Sequence, residues 1–355
     1  MTYRKSFIEV LNFKLPESPP ITEYLFFWPE TERNWSQYTG GEPIISHLGL
    51  PHSVPVPIDF NFVPAFDETV HEETDEHMVV TDVFGTRKRI IKNSSAMPEY
   101  LEFPIKTRGD FIALKERLNP LSPERYPKNW HEVAENLKKS EYPVYAGSRG
   151  PFAFLRDFIR FEDLMAMFCD EGEFIGEMTD FHAEFSCRLW DKMLDSFVPD
   201  YATFGEDMAY KGASMVSPAM VRKFILPAWK KINSHLRRRG IRHIFVDSDG
   251  NTEELLPLFA EGGFDGTYPV ERAAGMDPEK IREKHPRFVI IGGIDKIAAS
   301  SGREAIDAEI EKAARLYAKG GYIPSFDHSV PPTVSYEDYR YYLDELKKAL
   351  LNVTR

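Results

Sequence analysis

From Tyr142 onward the apolar and polar positions settle into a regular texture. Short β-rich runs (V144-Y-A, Y201-A-T-F, H243-I-F-V, G266-T-Y-P-V, F288-V-I-I and G321-Y-I-P-S-F) alternate with stretches whose apolar residues recur at helical spacing. The helical stretches cover 161–168, 221–236, 252–259, 277–282, 303–317 and 336–350. Strands separated by helices predict parallel βαβ units. Six strands are visible here, and two more from the first third would close a (β/α)8 TIM barrel. Helix punctuation agrees: Ser217-Pro218 is an N-cap with Pro in the first turn, Gly240 stops a helix ending in R237-R-R239, and Ser335 caps the last helix with Asp338 three residues on. The arginines also suit the negative end of a helix.

The first third, to about Leu121, is rich in Pro and aromatics and has little helical period. It reads as an irregular N-terminal covering segment. Within it, M78-V-V-T-D-V-F-G-T-R-K-R-I-I91 predicts a hairpin, and 107–118 a loop followed by a helix. A proline-marked linker follows at Pro120 to Pro127. The organisation is one domain over 1–355, with 1–120 supplying the cover and first barrel elements and 142–350 the regular units.

Charge removes one class of partner. A formal net charge of −12 and a pI near 5.4 argue against nucleic acid, whose binding rests on a basic surface that releases counterions. Cys169 and Cys187 both fall in helical stretches and make no disulfide framework. No run approaches the roughly 18 apolar residues of a membrane span, and the N-terminal stretch lacks the core of a signal peptide. The expectation is a cytoplasmic protein without a membrane partner.

In a (β/α)8 barrel, chemistry sits at the C-terminal ends of the strands. Each strand end here carries ionisable groups: Arg149; Glu206, Asp207, Tyr210 and Lys211; Asp247 and Asp249; Glu271 and Arg272; Asp295; Asp327 and His328. A single Asp after a strand is ordinarily a cap or turn residue. Seven acids on one face require compensation, because crowded like charges raise one another's pKa. Arg149, Lys211, Arg272, His328 or a bound metal could supply it.

The stretch I244-F-V-D-S-D-G-N251 then acquires a meaning. Residues i and i+2 of a strand face one side, so Asp247 and Asp249 can present oxygens to one ion. Glu271 and His328 would complete three carboxylates and one imidazole, a set suited to Zn²⁺ in an open site, or to Mn²⁺ or Fe²⁺. The H71-E-E-T-D-E-H77 stretch and His52 read as solvated surface instead.

The order V246-D-S-D-G-N-T-E-E-L-L-P-L-F-A-E-G-G-F-D-G-T-Y-P-V-E271, I290-I-G-G-I-D295, G320-G-Y-I-P-S325 and V330-P-P-T-V-S-Y-E-D-Y339 resembles the C-terminal half of the uroporphyrinogen decarboxylase superfamily. The closer likeness is to its branch of corrinoid-linked, zinc-dependent methyltransferases. R4-K-S-F-I-E-V-L-N-F13 and M97-P-E-Y-L-E-F-P-I-K-T107 look more loosely like the corresponding segments of uncharacterised members. In the methyltransferase branch a His-x-Cys pair, a later Cys and a glutamate hold zinc. The resemblance places these positions on Asp247 and Asp249, at or beside His328, and on Glu271.

What the resemblance implies is metal-assisted transfer of a methyl group from a small O- or N-methyl donor to a corrinoid carried by a partner protein. Carboxylates and imidazole make a harder centre than thiolates, one that prefers an oxygen substrate. Glu206, Asp207, Tyr210 and Lys211 are the catalytic candidates, with Lys211 or Tyr210 meeting the departing oxygen, and Arg149, Asp295 and Asp327 are the substrate-binding candidates. Family members occur as homodimers, though the sequence marks no interface. Two alternatives stand beside this one. Uroporphyrinogen decarboxylation would need an arginine-rich mouth, and the R-Q-A-G-R motif of decarboxylases is missing. A non-catalytic binder could hold a small cation or a corrinoid in the acidic mouth, with Phe26, Phe27, Trp28 and Trp35 folded over it.

Overall fold

The computed structural model describes residues 2–94 and 97–354. Its organising element is a seven-stranded parallel sheet with strands in chain order: β1 (Val54–Pro55), then β6 (Val144–Arg149), β7 (Tyr201–Gly205), β8 (Ile244–Asp247), β9 (Gly266–Tyr268), β10 (Val289–Ile291) and β11 (Tyr322–Ile323). All six strands expected after Tyr142 are present. Between them in the chain, β2 (Thr69–Glu73), β3 (His77–Thr81), β4 (Arg87–Ile91) and β5 (Glu99–Glu102) form a separate antiparallel sheet. The expected hairpin is β3 and β4, with Gly85 at φ +77 in its turn.

Seven parallel strands are seen among the described residues where eight were expected. The first third contributes one ladder strand, β1, paired in register with Val144 and Tyr145. The segment from Thr22 to Trp28 contacts the chain just before β1 and the chain beyond β11 without forming a ladder. Thr22 donates its hydroxyl to the Pro51 carbonyl at 2.5 Å, and Phe27 makes an isolated parallel bridge with Val330.

The strands are apolar on both faces because both faces are covered. Ile244, Phe245 and Val246 are all fully buried. Inside, an aromatic stack fills the floor: Tyr201 lies against Tyr145, Phe245 and Phe7, and Tyr24 meets Tyr268 edge-on at 4.5 Å. Phe204, one residue out of phase with Thr203, points the other way and packs on Trp190 and Phe264. Trp190 belongs to the 25-residue helix Gly172–Ser196, which buries Phe174, Met178, Phe185 and Leu189 along one stripe.

The N-terminal cover is packed by its aromatics. Phe27 and Trp35 are buried against Tyr336 and Tyr339 of the last helix, Tyr336–Val353. These two rings therefore belong to the joint between cover and barrel. Phe26 and Trp28 stay exposed. Among the described residues no helix is long and apolar enough to cross a membrane.

Candidate functional site

The floor described above sets the direction of Asp247. Phe245 faces the interior, so Asp247, two residues on, faces the same space at the top of β8. Its neighbour Ser248 is fully buried, with its amide bound to the Tyr268 carbonyl and its hydroxyl accepting from the Met208 amide at 2.9 Å. The chain then turns at Gly250, with φ +78. A Cβ there would lie 2.7 Å from the Ala209 carbonyl, so only glycine lets the β7 and β8 loops approach this closely. The Asn251 amide binds the Tyr210 carbonyl and ties the same two loops again.

This closeness brings a third acid to the pair. Asp207, Asp247 and Asp249 each offer a carboxylate oxygen, and these oxygens lie within 4.8 Å of one another. Asp207 reaches the position through a left-handed backbone, φ +43, which is rare outside glycine. Arg156 fixes it: one guanidinium nitrogen donates to the Asp207 carbonyl at 2.9 Å and another to its carboxylate at 3.1 Å. Among the described residues no Lys, Arg or His pairs with Asp247. Burial, then the charges of Asp207 and Asp249, push its carboxyl well above the usual range.

Of the four metal candidates, Asp247 and Asp249 are in this cluster, joined by Asp207. His328 stands beside it, with Nε2 3.5 Å from Asp249 Oδ2, and its hydrogen bond to Asp249 raises its pKa. Glu271 points its carboxylate at the loop, accepting from the Gly250 amide at 3.0 Å.

The other candidates fall in distinct places. Glu206 is fully buried: one carboxylate oxygen accepts from the Phe152 and Ala153 amides at 2.9 and 3.0 Å, and the other from the Trp229 indole. It caps the helix Pro151–Phe158 from a different strand, and burial raises its pKa to about 7. Gly150 has no side chain because Glu206 occupies the space a Cβ would need. Tyr210 and Lys211 are exposed on the β7 loop. Asp295 caps the helix Lys296–Ala299 through the Ile297 amide. Asp327 is fully buried and accepts from the amides of Arg272 and Lys296.

Besides Arg156, two groups escaped the sequence reading. Lys296 is the cation that compensates the mouth, 3.4 Å from Asp327 and 3.9 Å from Glu271. Its one sequence signal is its place just after the Gly-Gly-Ile-Asp strand end. Arg149 pairs instead with Asp157, and Arg272 with Asp277. Glu23, in the segment from Thr22 to Trp28, is buried with Phe326 and Tyr339 donating to it, and burial raises its pKa to about 8. Nothing in a Thr-Glu-Tyr stretch of a proline-rich cover marks it.

Beside the triad a cleft of about 560 Å³ opens between the antiparallel sheet and the barrel, with Asp207 in its wall. Phe84, Tyr100 and Phe103 line it from the sheet side, and Phe158, Phe161 and Met215 from the barrel side. Its charged residues are matched: Lys88 with Asp82 at 2.9 Å, Arg149 with Asp157 at 2.5 Å, and Arg156 with Asp207 at 3.1 Å.

The family model described as Uroporphyrinogen decarboxylase (URO-D) matches residues 78–349, more than half of the chain. A search of curated protein sequences found no match. Among solved structures, one described as a methyltransferase from Methanosarcina mazei is similar over 98% of this chain and 99% of its own, at 17% identity and a TM-score of 0.63. At that identity the likeness concerns the fold. A B12-independent methionine synthase from Shewanella sp. W3-18-1 is more distant, at 12% identity over 96% of this chain and 98% of its own, with a TM-score of 0.42.

Proposed function

Because the chain belongs to the uroporphyrinogen decarboxylase family, we propose that it is an enzyme of the methyltransferase kind, moving a methyl group from a small oxygen-linked donor to a corrinoid protein with the help of a divalent metal. The observation that carries this reading is the convergence of Asp207, Asp247 and Asp249 at the edge of an aromatic cleft. Three carboxylates with an imidazole alongside are an oxygen-rich donor set that suits Zn²⁺ or Mn²⁺. The fit is favoured by the chemistry of Asp247, a carboxyl in a cluster of three acids with no cation against it among the described residues. Asp207, Asp247 and Asp249 would hold the ion, and a bound ion would supply Lewis acidity toward the donor's oxygen.

The chain's own residues do the rest. Arg156 keeps Asp207 turned toward the other two acids. His328, whose hydrogen bond to Asp249 favours its protonated form, is placed beside the triad, where its Nε2 could deliver a proton to the departing oxygen. In balance, the methyl carbon–oxygen bond breaks with its electron pair staying on oxygen, the oxygen takes the proton, and the methyl is captured by the electron pair of reduced cobalt on the partner protein.

Decarboxylation of a polycarboxylate macrocycle fits less well. The cleft's three cations are already matched by three carboxylates, which leaves no surplus positive charge for such a substrate. The test is methyl transfer to a reduced corrinoid protein from a panel of methyl ethers and methylamines, with metal supplied and withheld. Metal-dependent alkylation of cobalt, seen as a change in its visible spectrum, supports the reading. Turnover of uroporphyrinogen, or no methyl transfer from any donor, overturns it.

A further inference from the structure

We propose that the cleft between the antiparallel sheet and the barrel mouth selects an uncharged aromatic ligand, and that the sheet of β2 to β5 exists in this chain as the wall that does the selecting. The proposal deepens the methyl-transfer reading by naming its donor class, but the binding it describes stands on separate observations.

The first observation is shape and surface. A volume of about 560 Å³ is that of a small-molecule site, and the rings of Phe84, Tyr100, Phe103, Phe158 and Phe161 face it. Phe84 sits at the β3–β4 turn, where the Asp82 carboxylate accepts from the amides of Phe84 and Thr86 at 3.0 Å each. The turn is therefore held, and with it the ring. Arg149 reinforces this arrangement from below, its guanidinium 5.3 Å from the Phe84 ring and 5.7 Å from that of Phe158.

The second observation is charge. The cleft wall carries three cations and three carboxylates, and each cation is paired: Lys88 with Asp82, Arg149 with Asp157, Arg156 with Asp207. Within this wall an anionic or cationic ligand finds its counter-charge already engaged, so binding it breaks a pair or leaves a charge unmatched; Asp247 and Asp249 lie outside the wall, and a bound ion would engage them as well. An uncharged ring breaks none. Discrimination of this kind comes from the penalty on the wrong ligand as much as from contact with the right one. Asp82, Phe84, Lys88 and Tyr100 all come from the antiparallel sheet, so removing the sheet's contribution would remove both the stacking surface and one ion pair.

The experiment uses three probes of one size on the full chain: 2-methoxynaphthalene, 2-naphthoate and 2-naphthylmethylammonium, with binding measured by fluorescence titration. The expected result is that the neutral probe binds about tenfold or more tighter than either ion, and that Phe84→Ala weakens it about fivefold or more, in line with the worth of an aromatic contact. Phe84→Leu, which keeps an apolar group at the turn, retains part of the affinity. Lys88→Ala frees Asp82 and raises affinity for the ammonium probe severalfold with little change for the neutral one. Asp82→Asn, whose side-chain oxygen can still accept the turn's hydrogen bonds, frees Lys88 and raises affinity for naphthoate instead. Preference for either ion in the unsubstituted protein, no binding of any probe, or indifference to Phe84→Ala overturns the proposal. Binding is measured without corrinoid protein, with chelator and with added metal. A neutral-selective cleft in a protein that transfers no methyl group would sink the reaction and leave this inference standing.

Discussion

The Arg156 guanidinium grips Asp207 twice, at its backbone carbonyl (2.9 Å) and at a carboxylate oxygen (3.1 Å). Asp207 is one of three non-glycine residues with positive φ among those described, and such a backbone persists where its surroundings over-determine it. Arg156→Lys keeps the charge and loses the fork. The expected outcome is metal affinity lower by about 10- to 100-fold, the usual effect of losing a group that orients a ligand. Calorimetric titration with Zn²⁺ or Mn²⁺ checks it, and unchanged affinity would show that Asp207 needs no such hold.

Glu206 is the acid whose placement argues for scaffold. Its carboxylate satisfies two amides at the start of the helix Pro151–Phe158 and one indole, all buried. Glu206→Ala would orphan these donors and leave a cavity, a combination that costs about 3–5 kcal/mol. Thermal and denaturant unfolding of the variant measure this directly. A Glu206→Ala protein that unfolds like the parent but has lost turnover would return Glu206 to the chemistry.

Gly250 is a second structural lever on the site. Gly250→Ala forces a side chain at φ +78 into the Ala209 backbone, 2.7 Å away. The expected cost is about 1–3 kcal/mol of stability, with the Asp249 loop pushed from the β7 loop. Loss of metal affinity larger than the loss of stability is the signature to look for. Normal values of both would mean that the loops can separate without consequence.

Glu23 makes stability depend on pH. Its folded pKa, about 8, lies above the ordinary carboxylate value because burial disfavours the charged form. A raised carboxyl pKa means the native state keeps a proton that the unfolded state gives up. The contribution is therefore present in full below the unfolded value and lost as pH rises from there through about 8. Unfolding midpoints should fall between pH 6 and pH 8.5 in the parent and fall less in Glu23→Gln. Parallel curves for the two proteins would contradict the placement.

How far these groups were legible follows from how local each determinant is. The strands after Tyr142 and the caps Ser217 and Ser335 depend on neighbours within a few residues, and all appear where expected. The D-x-D pair was readable because side-chain direction has period two along a strand. Asp207 could be placed at the mouth but not in the triad, since its direction depends on a left-handed backbone and an arginine 51 positions away. Lys296, marked only by its place after a strand end, and Glu23, marked by nothing, are hard to read for a related reason. Each acquires its role from partners on distant elements, Asp327 for one and Phe326 and Tyr339 for the other. The cleft required a second sheet, and only its central hairpin had a local pattern.

The most direct test of the account is metal stoichiometry after reconstitution with Zn²⁺ and Mn²⁺, in the parent and in Asp207→Asn, Asp247→Asn and Asp249→Asn. About one ion per chain is expected in the parent, lost in Asp247→Asn and weakened in the other two, with each variant still folded by circular dichroism. An unsubstituted protein that takes up no ion, or an Asp247→Asn variant that binds as well as its parent, would contradict it.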